Sequence, residues 1–337
     1  MIRVGIVGAT GYGGRELLRL LLAHPGVEVV AVASTSASGE AVGEVLPAFR
    51  KLCGLHFETF DADSLAARCD AVFVGVPGGQ SMAPVAALRA AGARVLDIGA
   101  DFRLKDPAQW LQYYKKEHTA AGLLPESVYG LVPFYREALR GAQLVAVPGC
   151  YPISLIVPLR PLLDAPLGAT PIVADSVSGI SGAGRTLNEA FHYPEMNENL
   201  KAYKLGVHQH VPEIEQELLN RVTVQFTPHV APLTRGILST ITVRPEREFD
   251  PAPYYAAYAD EPFVRVLGPG ALPEVKHVRA SNYCDFGWHH DRRTGNLLIV
   301  SAIDNLVGGT AGMALQCLNV MFGLDESEGL RFGGMTP

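Results

Sequence analysis

Short apolar runs alternate with helical stretches over the first 150 residues. The runs have the length of buried strands, and they cover 2–7, 27–33, 71–76, 94–98 and 143–147. A leucine-rich stretch over 16–23 and a second stretch over 82–91 have helical character. Strands that alternate with helices pair in parallel through right-handed crossovers. The pattern predicts an α/β fold built on a doubly wound parallel sheet.

The pattern changes after residue 150. Alternating segments predict antiparallel strands over 222–230, 236–243 and 296–303, and a hairpin turn over 291–296. We therefore expect a second, α+β domain with a mainly antiparallel sheet. A helical stretch over 309–322 is expected to return to the first domain. The predicted division is 1–148 with 305–337 for the first domain, and 149–304 for the second.

Composition and charge exclude several classes of protein. The chain has 337 residues, of which 48% are apolar and 18% are charged, and its formal net charge is −6. Those values are typical of a globular protein with about two domains. No run of lysine and arginine is present, so nucleic acid is not expected as a partner. No apolar stretch reaches the ~18 residues of a membrane span, and the chain begins directly in a strand. We expect a cytoplasmic protein with neither membrane anchor nor cleaved signal.

The cysteines are scattered through the chain. They stand at 53, 69, 150, 284 and 317. An odd, unclustered set fits neither a disulfide framework nor a zinc site, so reduced thiols are expected. His289, His290 and Asp291 resemble a metal cluster, but they fall at the predicted hairpin tip and are expected to be solvated. No metal is predicted.

A glycine-rich segment, Gly8–Gly14, connects the first strand to the first helix. In this context glycines let the backbone approach a pyrophosphate held at a helix N-terminus. A tight turn without a ligand is the alternative. The residues expected to contact a dinucleotide are Gly8, Thr10, Gly11, Tyr12 and Gly13.

The end of the second strand bears on the choice of cofactor. An NAD-preferring site places a carboxylate there for the ribose hydroxyl. This chain has Ser34, Thr35 and Ser36 instead. Because no carboxylate would repel a 2′-phosphate, we predict NADP(H) as the cofactor, with Ser34 and Ser36 among its contacts. The alternative is that these hydroxyls only begin a loop.

Cys150 lies between a strand and an apolar, helical stretch, after Pro148 and Gly149. At a helix N-terminus the dipole favours the thiolate, which is the nucleophilic form. A buried structural cysteine is the alternative, but the flanking glycine and proline favour an exposed turn. Cys150 is therefore the candidate nucleophile.

A thiolate nucleophile commonly works with an imidazole. His208 and His210 stand just before a segment that has the pattern of a helix start. His210 is the candidate acid/base because it is nearer to that start, and His208 remains an alternative because a spacing of two can place both rings on one side. A purely structural role for both is the third possibility.

Two arginines are candidates for binding an anion. Arg103 follows the strand that ends at Ile98, and Arg185 ends the glycine-serine loop that starts at Ser178. A guanidinium can hold a carboxylate or a phosphate through two hydrogen bonds. Surface salt bridges are the alternative for both.

Together these segments resemble the N-acetyl-gamma-glutamyl-phosphate reductase family, the arginine-biosynthesis branch of the semialdehyde dehydrogenase group. The resemblance spans nearly the whole chain and rests on 8–14, 100–103, 148–152, 178–185, 208–214, 234–237 and 304–312. It implies a Rossmann-type NADP-binding domain completed by the C-terminal helix, with a catalytic domain between. It also implies a homodimer or a homotetramer.

The resemblance implies a reaction and its substrate. N-acetyl-L-glutamyl 5-phosphate, a small-molecule acyl phosphate, would be reduced with NADPH to N-acetyl-L-glutamate 5-semialdehyde and phosphate through a thioester on Cys150. Proton supply would fall to His210.

The resemblance also implies roles for residues that the patterns alone do not assign. Arg103 and Arg185 are similar to anion-binding residues of the family. Ser178 and Ser181 would bind substrate in the same loop as Arg185. The cofactor contacts would further include Gly182 and Asn305.

The chain departs from the family pattern at two positions. Gly308 stands where the family commonly has lysine, and Met313 where it commonly has glutamine. These departures bear on the contribution of that loop to cofactor binding.

There are three rival interpretations, of which two are enzymes and one is a binding module. One is a lysine-biosynthesis relative that reduces a carrier-linked aminoadipyl phosphate, and Arg185 and the Pro148-Gly149-Cys150-Tyr151 motif argue against it. A second is aspartate semialdehyde dehydrogenase, whose nucleophile motif differs. A catalytically silent NADP-binding module is the third, and it would be expected to lack the thiol or the histidine.

Overall fold

The computed structural model describes residues 1–336, and Pro337, the last residue of the predicted first-domain segment 305–337, lies outside the described residues. The chain divides into two compact units. The first unit holds Met1–Pro148 and Thr310–Arg331, and the second holds Gly149–Gly309 and the C-terminal residues from Phe332 on. Within residues 1–336, none of the helices combines the length and apolarity that crossing a membrane requires.

The first unit is a parallel sheet covered by helices. Its strands are β1 (Ile2–Val7), β2 (Val27–Ala33), β3 (Phe57–Glu58), β4 (Ala71–Val74), β5 (Val95–Asp97), β6 (Val128–Tyr129) and β7 (Leu144–Ala146). Its helices are α1 (Tyr12–Leu22), α2 (Val42–Val45), α3 (Ala62–Arg68), α4 (Met82–Ala90), α5 (Pro107–Tyr114), α6 (Val132–Leu139) and, after the second unit, α11 (Gly312–Met321).

The strand order is β3-β2-β1-β4-β5-β7-β6, and every pairing is parallel. The chain moves outward from β1 in one direction and then, from β4, in the other. The predicted doubly wound parallel sheet is thus confirmed, with its switch point between β1 and β4.

Burial explains why these segments form this sheet. All four residues of β4 and the last four of β1 are buried, as expected for central parallel strands with helices on both faces. In α1 the buried face carries leucines at 17, 18, 20 and 21. Helix α1 starts at Tyr12 and not at the predicted residue 16, because Gly13 and Gly14 adopt helical geometry without adding to the apolar pattern.

The second unit is a mixed sheet with two principal helices. Its strands are β8 (Ile172–Gly179), β9 (Lys201–Ala202), β10 (Val224–Ala231), β11 (Ile237–Val243), β12 (Val264–Pro269), β13 (Cys284–Asp291) and β14 (Asn296–Ile303). Its helices are α7 (Cys150–Leu159), α8 (Tyr193–Met196), α9 (His210–Glu217) and α10 (Val275–Val278). The strand order is β12-β13-β14-β11-β8-β10-β9.

Strand direction in this sheet agrees with the sequence in part. The pairs β11–β14, β11–β8 and β13–β14 are antiparallel, and Asp291–Asn296 is the predicted hairpin connection. The antiparallel prediction for 222–230 is wrong for its main partner, because β10 runs parallel to β8 and is antiparallel only to β9. The physical reason is the crossover through α9, which returns the chain in its original direction.

Helix α7 is the most buried helix of the second unit. Every residue from Tyr151 to Leu159 is buried. Near its C-terminal end, the hydroxyls of Tyr258 and Tyr255 donate to the carbonyls of Val157 and Pro158, at 2.6 Å and 2.9 Å. These bonds satisfy carbonyls of the last turn and so stabilise the C-terminal end of the helix.

Candidate active site

Cys150 is the first residue of α7, as the sequence predicts. Gly149 before it is extended, with φ −72° and ψ 153°, and no side chain caps the helix. The dipole and the amide groups of the first turn therefore act on the thiol and favour the thiolate. Cys150 is partly exposed, whereas the rest of α7 is buried. The N-terminal end of α7 therefore carries one partly exposed thiol.

The other cysteines lack this setting. Burial raises the pKa of Cys69 to about 11 and that of Cys284 to about 12, and it also raises the pKa of Cys317. Cys53 is partly exposed but lies outside the helices and strands. The three buried thiols are protonated at neutral pH and serve as packing groups.

A second helix, α9, carries an imidazole at its own N-terminal end. His210 is the first residue of α9. Glu213, in the first turn of α9, accepts a hydrogen bond of 2.8 Å from the backbone N–H that precedes Cys150. At the other end of α9, Glu217 pairs with Arg160 at 3.0 Å, just after α7. These two contacts hold the helices side by side with the same direction, so that Cys150 and His210 lie at the same end.

His208 packs against His210. Its ring is 5% exposed, and the two ring centroids lie 4.8 Å apart. Nδ1 of His208 accepts a hydrogen bond of 3.1 Å from the backbone N–H of His210. Burial, with a smaller contribution from Lys204, lowers the pKa of His208 to about 4. A neutral ring that accepts at Nδ1 carries its proton on Nε2, and it has no second lone pair for a base. The geometry therefore favours His210 as the residue that exchanges protons.

Two tyrosine hydroxyls form a chain beside the nucleophile. Tyr203 donates to the hydroxyl of Tyr151 at 3.2 Å, and Tyr151 donates to the backbone carbonyl of His229 at 3.1 Å. Burial raises the pKa of Tyr203 to about 12 and that of Tyr151 further, and the charge of the Cys150 thiolate adds to both shifts. Both phenols remain protonated beside the thiolate. Tyr203 belongs to no recognisable motif, so the sequence patterns do not point to it.

Gly309 packs directly against the nucleophile. A Cβ at this position would lie 2.6 Å from Cβ of Cys150 and 3.1 Å from its Cα. Carbon atoms in contact normally lie about 3.5–4.0 Å apart. A glycine is therefore required at residue 309 for steric reasons.

Replacing Gly309 by alanine is expected to displace Cys150 and to lower kcat. A displacement of about 1 Å at a reacting group can cost about a hundredfold in rate, so we expect a loss of that order. The measurement compares kcat with Gly308→Ala, where a Cβ would lie 3.4 Å from its nearest neighbour, the carbonyl oxygen of Asn282. Equal activity of the two alanine variants would contradict this steric account.

A buried ion pair holds Gly309 in place. Arg235 donates to both carboxylate oxygens of Asp304, at 2.7 Å and 2.9 Å, and Asp304 is fully buried. The backbone carbonyl of Asp304 accepts the N–H of Gly309 at 2.7 Å. The Asp304 carboxylate also accepts the backbone N–H groups of Ala280, Leu306 and Val307. The segments 234–237 and 304–312, which the sequence shows only as motifs, thus meet next to Cys150.

The residues predicted around the glycine-serine loop belong to the second unit and lie near Tyr151 and Asn305. Ser178 is buried near the end of β8 and hydrogen-bonds Tyr151, while Ser181 and Gly182 belong to the turn that follows. The Asn305 side chain accepts the N–H of Gly236 at 2.6 Å and donates to the Ser181 hydroxyl at 3.0 Å. These contacts make Asn305 a brace of the loop.

Arg185 lies at the far end of that loop. Its side chain is exposed. Gly184 before it has a φ of +75°. An exposed guanidinium at a glycine-rich turn can reach an anionic ligand at little conformational cost.

The glycine turn of the first unit has the shape that a pyrophosphate needs. A Cβ on Gly8, whose φ is +92°, would lie 2.3 Å from the carbonyl oxygen of Gly75, and one on Gly14 would lie 2.4 Å from that of Gly8. At Gly11 the nearest atom would be 3.6 Å away. No side chain caps the N-terminus of α1. The turn is closely packed where the chain folds back and open where a phosphate would approach, so these residues fit a dinucleotide.

Thr10, Tyr12 and Gly13 border this turn. Tyr12 is 39% exposed, and Thr10 and Gly13 are partly exposed. Arg15, which the sequence patterns do not single out, donates from Nε to the backbone carbonyl of Thr10 at 3.0 Å. Its guanidinium lies 5.9 Å from the centroid of the Tyr12 ring. A cation therefore stands in the first turn of α1 beside the glycines.

Ser34 and Ser36 follow β2 as predicted. Ser34 is buried, Ser36 is exposed, and their hydroxyls lie 3.3 Å apart. The sheet places Glu58, which the sequence patterns do not single out, opposite Ala33 at the end of β2. Its carboxylate is paired with Arg68.

Arg103 is almost fully buried in the first unit. Its guanidinium donates to the backbone carbonyls of Val147 and Ile98, at 2.8 Å and 3.0 Å. These bonds fix the side chain across the ends of β5 and β7. Anion binding by Arg103 stays a prediction.

Among residues 1–336, no group of three or more histidine, cysteine, aspartate or glutamate side chains is arranged to hold a metal ion.

Two family models match the chain. The model described as semialdehyde dehydrogenase, NAD binding domain, matches residues 3–142. The model described as semialdehyde dehydrogenase, dimerisation domain, matches residues 150–305.

Curated relatives match over the full length. The N-acetyl-gamma-glutamyl-phosphate reductase of Desulforudis audaxviator is 49% identical over 346 residues, with 100% of both chains covered. That of Symbiobacterium thermophilum is 48% identical, with 99% of this chain and 98% of the relative covered. That of Halorhodospira halophila is 47% identical, with 100% of both covered.

Solved structures share the fold. Aspartate semialdehyde dehydrogenase II from Vibrio cholerae, solved in complex with ASA, has a TM-score of 0.71 at 17% identity and covers 95% of this chain and 98% of its own. The Candida albicans enzyme, solved with NADP, has a TM-score of 0.72 at 15% identity with the same coverage. At such identities the likeness concerns the fold alone.

Proposed function

Because this chain belongs to the semialdehyde dehydrogenase family, among the N-acetyl-gamma-glutamyl-phosphate reductases, we propose that it reduces N-acetyl-L-glutamyl 5-phosphate to N-acetyl-L-glutamate 5-semialdehyde and phosphate. This is a step of arginine biosynthesis. The observation that carries the proposal is the pair Cys150 and His210, each the first residue of its helix, at the same end of two helices tied side by side.

The proposed reaction begins at Cys150. Its thiolate sulfur attacks the acyl carbon, the bond from that carbon to the phosphate oxygen breaks, and phosphate leaves with the bonding electrons. The product is a thioester on Cys150. A bound nicotinamide supplies the hydride that reduces the thioester carbon. His210 holds the proton that the net reaction consumes, and cleavage of the carbon–sulfur bond releases the aldehyde and restores the thiolate.

The anionic groups of the substrate are assigned to two arginines. Arg185 is exposed on the loop that carries Ser178 and Ser181, where a carboxylate can be bound by a guanidinium together with hydroxyls. Arg103 is a buried guanidinium oriented by two backbone carbonyls. We assign both to anion binding.

The cofactor is proposed to be NADP(H), held by Gly8, Thr10, Gly11, Tyr12 and Gly13 at the N-terminus of α1. Support for the 2′-phosphate comes from the hydroxyls of Ser34 and Ser36 and from the pairing of Glu58, the carboxylate at the end of β2, with Arg68. A paired carboxylate is less available to a ribose hydroxyl. Gly182 and Asn305 are also assigned to cofactor binding, and the Asn305 side chain donates to the hydroxyl of Ser181 in the glycine-serine loop.

An assembly and a cellular location are also proposed. We propose a homodimer or homotetramer formed through the second unit, in which β11 alternates between buried and more exposed residues and so leaves one face of the sheet available. A reactive thiol at residue 150 needs a reducing compartment, so the cytoplasm is the proposed location.

The test follows the reaction backwards with purified full-length protein. NADPH formation is measured with NADP, inorganic phosphate and N-acetylglutamate semialdehyde. We expect strict dependence on phosphate, because phosphate must cleave the thioester, and a kcat/KM for NADP at least about tenfold above that for NAD.

Each alternative has its own outcome in this assay. Turnover without phosphate would overturn the acyl-phosphate assignment. Turnover only with a carrier-linked aminoadipate semialdehyde would place the chain in the lysine branch. A higher kcat/KM with NAD would overturn the cofactor assignment and leave the reaction unchanged.

A further inference from the structure

Two carboxyl groups lie fully buried in the first unit. Asp97 ends β5, and Asp101 lies four residues later, and both have 0% exposure. Charged carboxylates are seldom buried without compensation. Neither has a place in the proposed chemistry, so their partners indicate what they do.

Asp101 caps a helix from a distant point in the chain. Its carboxylate accepts the backbone N–H groups of Gly79, Ser81 and Met82, at 2.6 Å, 2.9 Å and 3.2 Å. Met82 begins α4, and Ser81 precedes it without capping the helix through its own side chain. The conformation of 79–82 therefore depends on Asp101.

Asp97 completes the arrangement. Its carboxyl oxygens accept the hydroxyl of Ser81 at 3.1 Å and the N–H of Gly99 at 3.0 Å. Ser81 is thus held twice, by its hydroxyl to Asp97 and by its N–H to Asp101. The pair grips one short backbone segment from two sides.

That segment belongs to the loop that begins beside the glycine turn. Strand β4 lies beside β1, with Val74 opposite Val7, and the N–H of Gly75 donates to the carbonyl of Val7 at 2.8 Å. The loop from Gly75 onward thus starts against Gly8. In open parallel sheets, ligands bind outside the carboxyl ends of the strands at the switch point, and here these are the ends of β1 and β4.

We propose that Asp97 and Asp101 are positioning residues for the dinucleotide: while the pair holds one proton, it fixes the backbone of 79–82 beside the glycine turn, and losing that proton loosens the segment. The inference rests on the proposed function, since it takes the glycine turn to bind the cofactor.

Electrostatic effects favour a proton on the pair Asp97 and Asp101 near neutral pH. Burial, with repulsion from Asp101, raises the pKa of Asp97 to about 7, against the opposing effect of Arg103. The neighbouring strands β4 and β7 contribute only apolar side chains. On the other side, Nε2 of His118 lies 2.7 Å from the carbonyl of Asp101, and the side chain of Lys116 lies near Gly79. Two like charges in a buried site repel strongly, so ionisation above pH 7 would push the carboxylates apart.

The experiment measures the Kd of NADPH by fluorescence titration at pH 7 and pH 9. For the unmodified protein we expect the Kd to rise at least about threefold between these pH values, since the binding-competent form loses population. Asp97→Asn keeps a neutral side chain that can accept from the N–H of Gly99 and donate to the hydroxyl of Ser81. It should bind as the unmodified protein does at pH 7, and its Kd should not change with pH.

Asp101→Asn removes one of the acceptor oxygens and should raise the Kd at both pH values by about tenfold or more. The matched control is Asp61→Asn. Asp61 caps α3 in the same unit by accepting the N–H of Ser64 at 2.9 Å, so this variant makes the same substitution at a different helix, where the asparagine oxygen can still accept that N–H. Its Kd and pH profile should match those of the unmodified protein.

The outcomes separate two kinds of failure. A pH-dependent Kd that persists in Asp97→Asn would assign the effect to His118 or Lys116 and overturn the inference. A flat profile in the unmodified protein would do the same. If Asp101→Asn does not fold, the comparison of the unmodified protein with Asp97→Asn decides alone. Absence of NADPH binding at either pH would overturn the cofactor proposal itself.

Discussion

Replacing Cys150 by serine is expected to lower turnover at least about a thousandfold, because an alcohol is a far weaker nucleophile than a thiolate at neutral pH. The helix N-terminus that favours the thiolate cannot ionise a serine hydroxyl to a comparable extent. Serine is smaller than cysteine and keeps the packing against Gly309. The fold and the NADPH affinity should therefore be retained.

The measurement is kcat in the phosphate-dependent assay, together with thermal unfolding and NADPH titration. Cys53→Ser is the matched control, because Cys53 is the other partly exposed cysteine and lies in no helix. Its turnover should equal that of the unmodified protein. If Cys150→Ser kept a tenth of the activity, the thioester route would be refuted.

Replacing His210 by asparagine is expected to lower kcat by about 10²–10⁴-fold, the usual contribution of a positioned acid or base. His210 begins α9 beside the nucleophile, and asparagine is well tolerated near a helix N-terminus. The variant should therefore fold and bind NADPH. Its pH–rate profile should lose the limb that reports titration of the imidazole.

His208→Asn distinguishes the two imidazoles. An asparagine oxygen can accept the N–H of the residue two positions later, as Nδ1 of His208 does. Because the pKa of His208 is about 4, its ring is neutral through the working range and contributes no titrating limb. We expect a loss below about tenfold with the pH profile preserved. A larger loss than in His210→Asn, or a loss of the limb, would reverse the two roles.

Much of the fold could be predicted from the sequence. The runs at 2–7 and 27–33 coincide with β1 and β2, and the segment 296–303 coincides with β14. Local signals of apolar length and turn composition fix such elements because they act between near neighbours in the chain. The placement of Cys150 and His210 at helix starts was also predictable, since glycine, proline and the apolar pattern mark a helix boundary locally.

The direction of β10 was not predictable from its own pattern. Alternation of apolar and polar residues is the same in a parallel and in an antiparallel pair, and only the path of the chain through α9 makes β10 parallel to β8. The cap of α4 was also hidden. Ser81 has the composition of a local N-cap, yet the tertiary structure gives that task to Asp101.

By itself, then, the sequence determined the fold class, the glycine turn, the nucleophile and the histidine pair as candidates. Only the tertiary structure decided that Nδ1 of His208 accepts a backbone N–H, that Tyr203 stands beside the thiolate, that residue 309 must be glycine, and that Asp97 and Asp101 share a buried site. The physical reason is distance along the chain. Propensity, periodicity and turn chemistry act over a few residues, whereas burial, steric exclusion and electrostatic coupling depend on neighbours that folding brings from far away.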